Sequence, residues 1–245
     1  MVFVAEERNE TMWRTIAADI ERDITNRVLN PGDKLPTEHA LVKKYFATRH
    51  AVRLALAHVS ERGLIESTQG RGSFVRRPTL PYYIQRRTRF SEIVEDAKAS
   101  HENRTLSIAV IKATQRIASV FSVNPGTAIL RLERLAIVND QPTGISRHHF
   151  LDTRVPGFIE SYTRRGSITA TLRDLSIVDY VRVQTNIQAR LPTAEECALL
   201  AMPHHVPIIT TQAINHDPAG VMLEYGEARF ASDRVDFVIM SARDD

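Results

Sequence analysis

The sequence predicts an α+β chain of two domains: a small helical head closed by a hairpin, then a larger domain built on a mostly antiparallel sheet with helices. Three observations carry this. Leu35–Val75 spells two short helices across a tight turn followed by a glycine-tipped hairpin. Beyond residue 105, strand-like segments recur with hairpin-type turns between some of them. Between the two, Arg77–Arg89 holds two prolines, four arginines and no acid, and the charge balance changes there.

The elements follow in order. Trp13, Ile16, Ala17, Ile20, Ile24 and Val28 recur at three- and four-residue steps, the apolar stripe of a helix, and Asn30-Pro31-Gly32 ends it. Thr37 is placed to cap a second helix over about Glu38–Phe46. Thr48 caps a third, with Val52, Ala55, Leu56 and Val59 inward and Gly63 at its left-handed end. Leu64–Thr68 and Ser73–Arg77 are strands joined through Gln69-Gly70-Arg71-Gly72. These observations place one domain at 1–77, a linker at 78–90 and a second domain at 91–245. In the second, strands are expected at Leu106–Ile117, Ala128–Val138, Thr143–Phe150, Val181–Arg190, Ile208–Asn215, Val221–Phe230 and Val235–Met240. Helices are expected at Ser91–Ala99, Ser167–Leu175 and Thr193–Met202, the last opening on the capping box Thr193…Glu196. Asn139-Asp140-Gln141-Pro142 and His216–Gly220 serve as hairpin turns.

Composition narrows the function. No apolar run approaches the ~20 residues of a membrane span, and the N-terminus has acids where a leader would place bases. The lone Cys197 forms no intrachain disulfide. A cytoplasmic protein is expected. Residues 1–77 carry 13 Lys/Arg against 10 Asp/Glu, whereas the remainder carries 19 of each. Within Lys34–Arg89 there are 12 basic and 3 acidic residues. Such crowding suits a polyanion partner, although a solvated basic surface explains charge alone equally well.

Element order separates these two. On the third helix, Arg49 and Arg53 are four residues apart, opposite the apolar stripe and near the end that enters a major groove in helix-turn-helix docking. A guanidinium pairs bidentately with guanine O6/N7. Thr48 and His50 are placed for neighbouring bases or phosphates, and the helix amides behind Thr37 and Thr48 for phosphates. Arg71, between glycines, is suited to a minor groove, with Gln69, Gly70 and Gly72 at the backbone of that wing. This set defines a winged helix-turn-helix.

Leu35-Pro36-Thr37-Glu38, Arg49…Val52-Arg53, Gly63-Leu64-Ile65 and Gln69-Gly70-Arg71-Gly72-Ser73-Phe74-Val75 resemble the GntR family of bacterial transcription regulators over about Met12–Val75. The resemblance implies a homodimer on double-stranded, inverted-repeat operator DNA. The position after Glu38, commonly arginine in that family, is His39 here, which makes one DNA contact weaker or pH-dependent.

The second half resembles the effector-binding UTRA domain of the HutC branch, whose fold is similar to chorismate lyase. The resemblance rests on Thr88-Arg89-Phe90-Ser91, Arg131-Leu132-Glu133-Arg134, Asp140-Gln141-Pro142, Glu224-Tyr225, Arg229-Phe230 and Asp233-Arg234. Ser146-Arg147-His148-His149-Phe150, Asp179-Tyr180…Arg182, Ala189-Arg190-Leu191-Pro192 and Glu224-Tyr225-Gly226 resemble the phosphonate-metabolism regulators within it. Arg134 shares a strand face with Leu130, Leu132, Ala136 and Val138, and an inward arginine needs an anion, whether a ligand or an internal partner such as Glu224. Ser91, after Phe90, opens a helix suited to a phosphate or phosphonate. The resemblance implies that this helix start and Arg134 hold a ligand phosphate. A second family arginine is replaced by Ala136, for which Arg147, Arg182 or Arg229 stand in. Ser146, His148 and Tyr225 complete the expected effector set, a small anion being the ligand.

Adjacent strand histidines such as His148 and His149 point to opposite faces and do not chelate one metal, so no metal, cofactor or catalytic residue is expected. The leading expectation is a repressor responsive to a phosphonate or phosphate-bearing metabolite. The alternatives are a HutC-type regulator of another catabolic pathway, responsive to a sugar phosphate or urocanate, a lyase-like enzyme fused to a DNA-binding head, and a constitutive nucleoid-type binder.

Overall fold

The computed structural model describes residues 2–68, 72–77, 79–87 and 100–240, with side chains from residue 12 onward. The chain divides into two compact units, 1–78 and 79–245, and each is described by itself.

In the first unit, α1 (Val2–Thr25) is followed by α2 (Glu38–Tyr45) and α3 (Arg49–Glu61). Ile16, Ala17 and Ile20 of the α1 stripe are buried, and Trp13 and Ile24 pack beside them. Val28 lies past the helix end and is 67% exposed, so the stripe stops one turn earlier than its spacing predicts. The Thr37 and Thr48 side chains accept from the amides of Ala40 and Ala51, both at 3.2 Å, and so start α2 and α3. Ala51, Val52, Ala55, Leu56 and Val59 face the core from α3. The strands β1 (Ile65–Thr68) and β2 (Gly72–Val75) form an antiparallel hairpin. Hydrogen bonds from Gly32 N to Val75 O and from Leu35 N to Ser73 O tie the hairpin to the chain before α2. This is a winged helix-turn-helix.

The second unit is built on a six-stranded antiparallel sheet. Its strands are β4 (His101–Lys112), β5 (Ala128–Val138), β6 (Gln141–Leu151), β7 (Val181–Arg190), β8 (Ile208–His216) and β9 (Met222–Ala231), in spatial order β4-β5-β6-β9-β8-β7. Asn139 and Asp140 both have positive φ (48° and 60°), which closes the β5–β6 hairpin with a two-residue turn. One face is covered by α5 (Phe158–Arg165) and α6 (Ile168–Asp174), whose Phe158, Tyr162, Ile168 and Leu172 pack on Leu130, Leu132 and Phe150. The opposite face is covered at its ends by α4 (Gln115–Phe121) and α7 (Ala194–Leu200).

Three expectations need correction. Residues 80–83, expected within a linker, form strand β3 (Leu80–Tyr83), parallel to β10 (Val235–Val238). Leu80 and Tyr82 alternate into a cluster with Val235 and Phe230, and that burial outweighs the helix-and-strand-breaking effect of the prolines. Second, β4 starts at His101 and stops at Lys112. Thr114 then caps α4 through the Ile117 amide at 3.4 Å, so the run to Ile117 is a strand and a helix rather than one strand. Third, α5 has no counterpart among the expected helices. Gly157 turns the chain with φ 76°, and Phe158, Ser161 and Tyr162 are buried at one helical face. The expected helix Ser91–Ala99 lies outside the described residues. No helix among the described residues is long and apolar enough to cross a membrane.

Candidate functional site

On the head, Arg49, His50 and Arg53 are all exposed on α3, opposite its buried stripe, and His39 is exposed on α2. Thr37 and Thr48 use their hydroxyls as helix caps, which leaves the first amides of each helix facing outward beside them. Sequence reasoning missed Glu38. It lies 3.4 Å from Arg53 Nε and holds that side chain across the turn between the helices. The pair is exposed, so its release costs about 0–1 kcal/mol. Gly72 has φ 100°, a backbone conformation that favours glycine at the base of the wing. Gln69, Gly70 and Arg71 lie outside the described residues.

In the second unit a cavity of ≈ 510 Å3 opens on the face of the sheet that also carries Leu130, Leu132 and Phe150. Four expected residues line it: Arg134 from β5, Ser146 and His148 from β6, and Arg182 from β7. Phe90 and Ser91 lie outside the described residues.

The floor is a chain of hydrogen bonds. Asn215 donates to Glu224 Oε2 at 2.7 Å, and His148 Nδ1 lies 2.5 Å from Glu224 Oε1. On the other side of the ring, Arg134 Nη2 and Ser146 Oγ lie 3.2 and 3.0 Å from His148 Nε2. A carboxylate at Nδ1 and a guanidinium at Nε2 assign the hydrogen of a neutral ring to Nδ1. Burial lowers the His148 pKa more than Glu224 raises it, with Arg134 and Arg182 pushing the same way as burial. For Glu224, burial acts upward, but hydrogen bonds from His148 and Asn215 and the nearby Arg182 leave its pKa below the ordinary value. The ring is therefore neutral and the carboxylate charged.

His148 thus stands between Arg134 and Glu224, in place of the direct internal salt bridge that strand geometry also allowed. The Nε atoms of Arg134 and Arg182 are buried with no hydrogen-bond partner among the described residues. Arg173 of α6 adds a third guanidinium to the lining, and Tyr82, Ile145, Ile168 and Phe230 add apolar and aromatic wall. Sequence inspection offers no signal for Arg173 or Asn215, because the elements that bring them here are far apart in the chain.

Three expected effector residues are not at the cavity. Arg147 and Arg229 both bind Glu133 Oε1, at 2.8 and 3.0 Å, and Tyr225 lies with Arg116, Glu227 and the His149 ring. The two-residue strand period explains this. On β6 Ser146 and His148 point into the cavity and Arg147 away, and on β9 Glu224 points in while Tyr225 and Arg229 point away. His148 and His149 likewise project to opposite faces. Of the three candidates to replace the missing arginine at Ala136, only Arg182 lines the cavity with it.

A winged helix-turn-helix with a basic recognition helix, followed by a separate domain with an arginine-lined cavity, defines a transcriptional regulator. The match to "Bacterial regulatory proteins, gntR family" covers residues 13–75 and that to "UTRA domain" covers 96–236. The chain belongs to the GntR family, in its HutC branch with a UTRA domain. It is 34% identical over 233 residues to an uncharacterized HTH-type transcriptional regulator of Rhizobium meliloti, which covers 95% of this chain and 96% of the relative. It is 26% identical over 234 residues to the HTH-type transcriptional repressor PhnF of Mycolicibacterium smegmatis, covering 94% and 93%. The crystal structure of PhnF from Mycobacterium smegmatis shares the fold with a TM-score of 0.68 at 24% identity, covering 93% of this chain and 99% of that one.

Proposed function

We propose that the protein is a homodimeric repressor, working in the cytoplasm, that binds an inverted-repeat operator and is released from it by a small anionic effector. Arg49 and Arg53 take base edges, while Thr37, His39, Thr48, His50 and the Gln69–Gly72 wing position the head on phosphates and the minor groove. The effector is a phosphonate or a phosphate-bearing metabolite. One observation carries that reading: the Arg134 guanidinium faces the cavity with a neutral imidazole, not an acid, as its hydrogen-bond partner. A cation so placed gains most from an incoming anion. Arg182, whose Nε is also unsatisfied, takes the part of the arginine missing at Ala136. Phe90 and Ser91 complete the anion seat. Release follows if the effector binds the DNA-free form better than the bound form.

Thermal-shift and calorimetric titration with alkylphosphonates, inorganic phosphate, sugar phosphates and urocanate tests this, followed by gel-shift release from DNA. A phosphonate that stabilises the protein and weakens operator binding supports the reading. Binding of a sugar phosphate or urocanate alone assigns the protein to another catabolic pathway, and loss of response to every anion in wild type overturns the effector site. Arg134→Gln is expected to lose the response while still binding DNA.

A further inference from the structure

The anion-binding groups Arg134 and His148 take up one end of a cavity of ≈ 510 Å3, a volume that suits a ligand of many atoms rather than a bare oxyanion. What lies beside that end follows from the strand register. His148 of β6 is paired with Gly226 of β9, and Gly226 with Ala213 of β8. The neighbouring row on this face runs Ser146, Ala228, Thr211. Next to the imidazole the floor therefore carries a hydrogen atom, then a methyl group, with a second methyl at Ala228. A Cβ at Gly226 would meet Glu224 Oε1 at 3.7 Å and, its chain neighbours aside, no other atom of the described residues within 4 Å, so the space above it is open. The main chain of this floor offers a ligand nothing polar, because β6, β9 and β8 pair with one another. Four residues along β9, roughly 13 Å at the rise of a strand, Phe230 closes the far end. Its ring lies over Gly144 and meets the Tyr82 ring edge-on at 5.4 Å.

We infer that the effector is a phosphonate or phosphate ester whose anionic head carries a flat, apolar, ring-sized body, seated on the Gly226–Ala213–Ala228 shelf and reaching toward Tyr82 and Phe230. One glycine and two alanines let a ring lie close to the sheet, and the aromatic pair gives it an apolar end wall. The hydroxyls of a hexose body would find Ser146 and Thr211 at the margin of the shelf and would otherwise be desolvated without partners. The inference rests on the anionic-effector reading above and names the part of the ligand that tells one such anion from another.

Calorimetric titration of the full chain with methylphosphonate, benzylphosphonate and glucose 6-phosphate tests it. Benzylphosphonate is expected to bind at least about ten-fold more tightly than methylphosphonate, and more tightly than glucose 6-phosphate. Gly226→Val fills the shelf on a strand whose ordinary backbone accepts a β-branched residue. It is expected to cut the benzyl-to-methyl preference to less than about three-fold. A melting transition reports whether this variant is folded, and Ala213→Val makes the same test from β8 if it is not. Equal affinity for the two phosphonates, or a preference that folded shelf variants leave unchanged, overturns the ring-sized body while leaving the anion seat in place. Tighter binding of glucose 6-phosphate than of benzylphosphonate overturns its apolar character. Absence of any response to all three, with none to any other anion, overturns the effector site as well.

Discussion

Glu224 fixes the His148 ring by its Nδ1 at 2.5 Å and thereby aims Nε2 at Arg134, the cation that faces the cavity. In the free protein Nε2 is the acceptor, its one lone pair shared between the Arg134 and Ser146 donors. An anion that engages Arg134 brings an acceptor to the same place, and Nε2 then has to donate. Burial and the two flanking guanidiniums hold His148 below its usual pKa, so the ring is neutral near pH 7. The anion raises that pKa, and the complex takes up a proton. Affinity is therefore expected to rise as pH falls, across the interval between the free and bound values, by up to about ten-fold per pH unit. A ligand of fixed charge, such as an alkylsulfonate, keeps the ligand's own titration out of the measurement. Calorimetry in buffers of different ionisation enthalpy should show proton uptake in wild type and none in His148→Gln. Equal heats in all buffers for wild type would refute the coupling.

On the opposite face, burial lowers the His149 pKa to about 4 against the pull of Glu227 and the Tyr225 carbonyl. Its folded pKa lies below the unfolded value near 6.5, so the unfolded chain binds the extra proton. This contribution to stability is complete above about pH 6.5 and is lost as pH falls toward 4. At pH 5 the loss from this group is about 2 kcal/mol. Thermal unfolding between pH 7 and 5 should show that loss, and His149→Phe should make the profile flatter while leaving binding at the cavity in place.

The head was legible almost residue by residue because its signals are local: capping threonines one residue ahead of each helix, an apolar 3–4 spacing and glycine at a hairpin. Most strands of the sheet were legible for the same reason, with Ala128–Val138 and Val181–Arg190 matching their ranges; β4 was not, because the apolar run to Ile117 masks the local cap at Thr114 that ends the strand and starts α4. The other failures depend on neighbours distant in sequence. Leu80–Tyr83 is a strand only because Val235–Val238 lies beside it, and α5 depends on the apolar surface it covers. At the cavity, Arg134, His148 and Arg182 are marked out by charge, but Arg147 and Arg229 share that charge and differ only in which way the pleat turns them. Their shared partner, Glu133, sits one residue before Arg134 and thus on the opposite face. Strand alternation separates the two sets, whereas family resemblance and charge do not.

Two glycines on the cavity strands should respond differently to one added methyl group. At Gly144 a Cβ would lie 2.6 and 2.9 Å from ring atoms of Phe230, a buried side chain packed between Tyr82 and Phe237. At Gly226 the nearest atom is Glu224 Oε1 at 3.7 Å, an ordinary van der Waals separation. Gly144→Ala is expected to cost about 1–3 kcal/mol by overpacking, and Gly226→Ala less than half of that. Chemical denaturation of the two variants compares them directly. Equal stabilities would show that the Phe230 ring moves aside without cost.

The pairing of Glu38 with Arg53 sets the last expectation. On the proposed reading, Arg53 leaves Glu38 to reach DNA, and the carboxylate left behind repels the phosphates. Since the pair is exposed and worth little in itself, Glu38→Gln is expected to tighten operator binding by up to roughly five-fold at low salt, with the gain shrinking as salt screens it. Arg53→Ala and Arg49→Ala should each lose about 1–3 kcal/mol of discrimination at their own base pairs. The double variant should bind specific and random duplexes alike. Every phosphate that no longer has a basic partner should also reduce the log–log salt slope by roughly 0.9. Gel shifts at several salt concentrations measure all of these, and an unchanged thermal response to the effector shows that the second unit is intact. If the double variant still prefers its operator, base recognition lies outside α3, and the wing has to carry it.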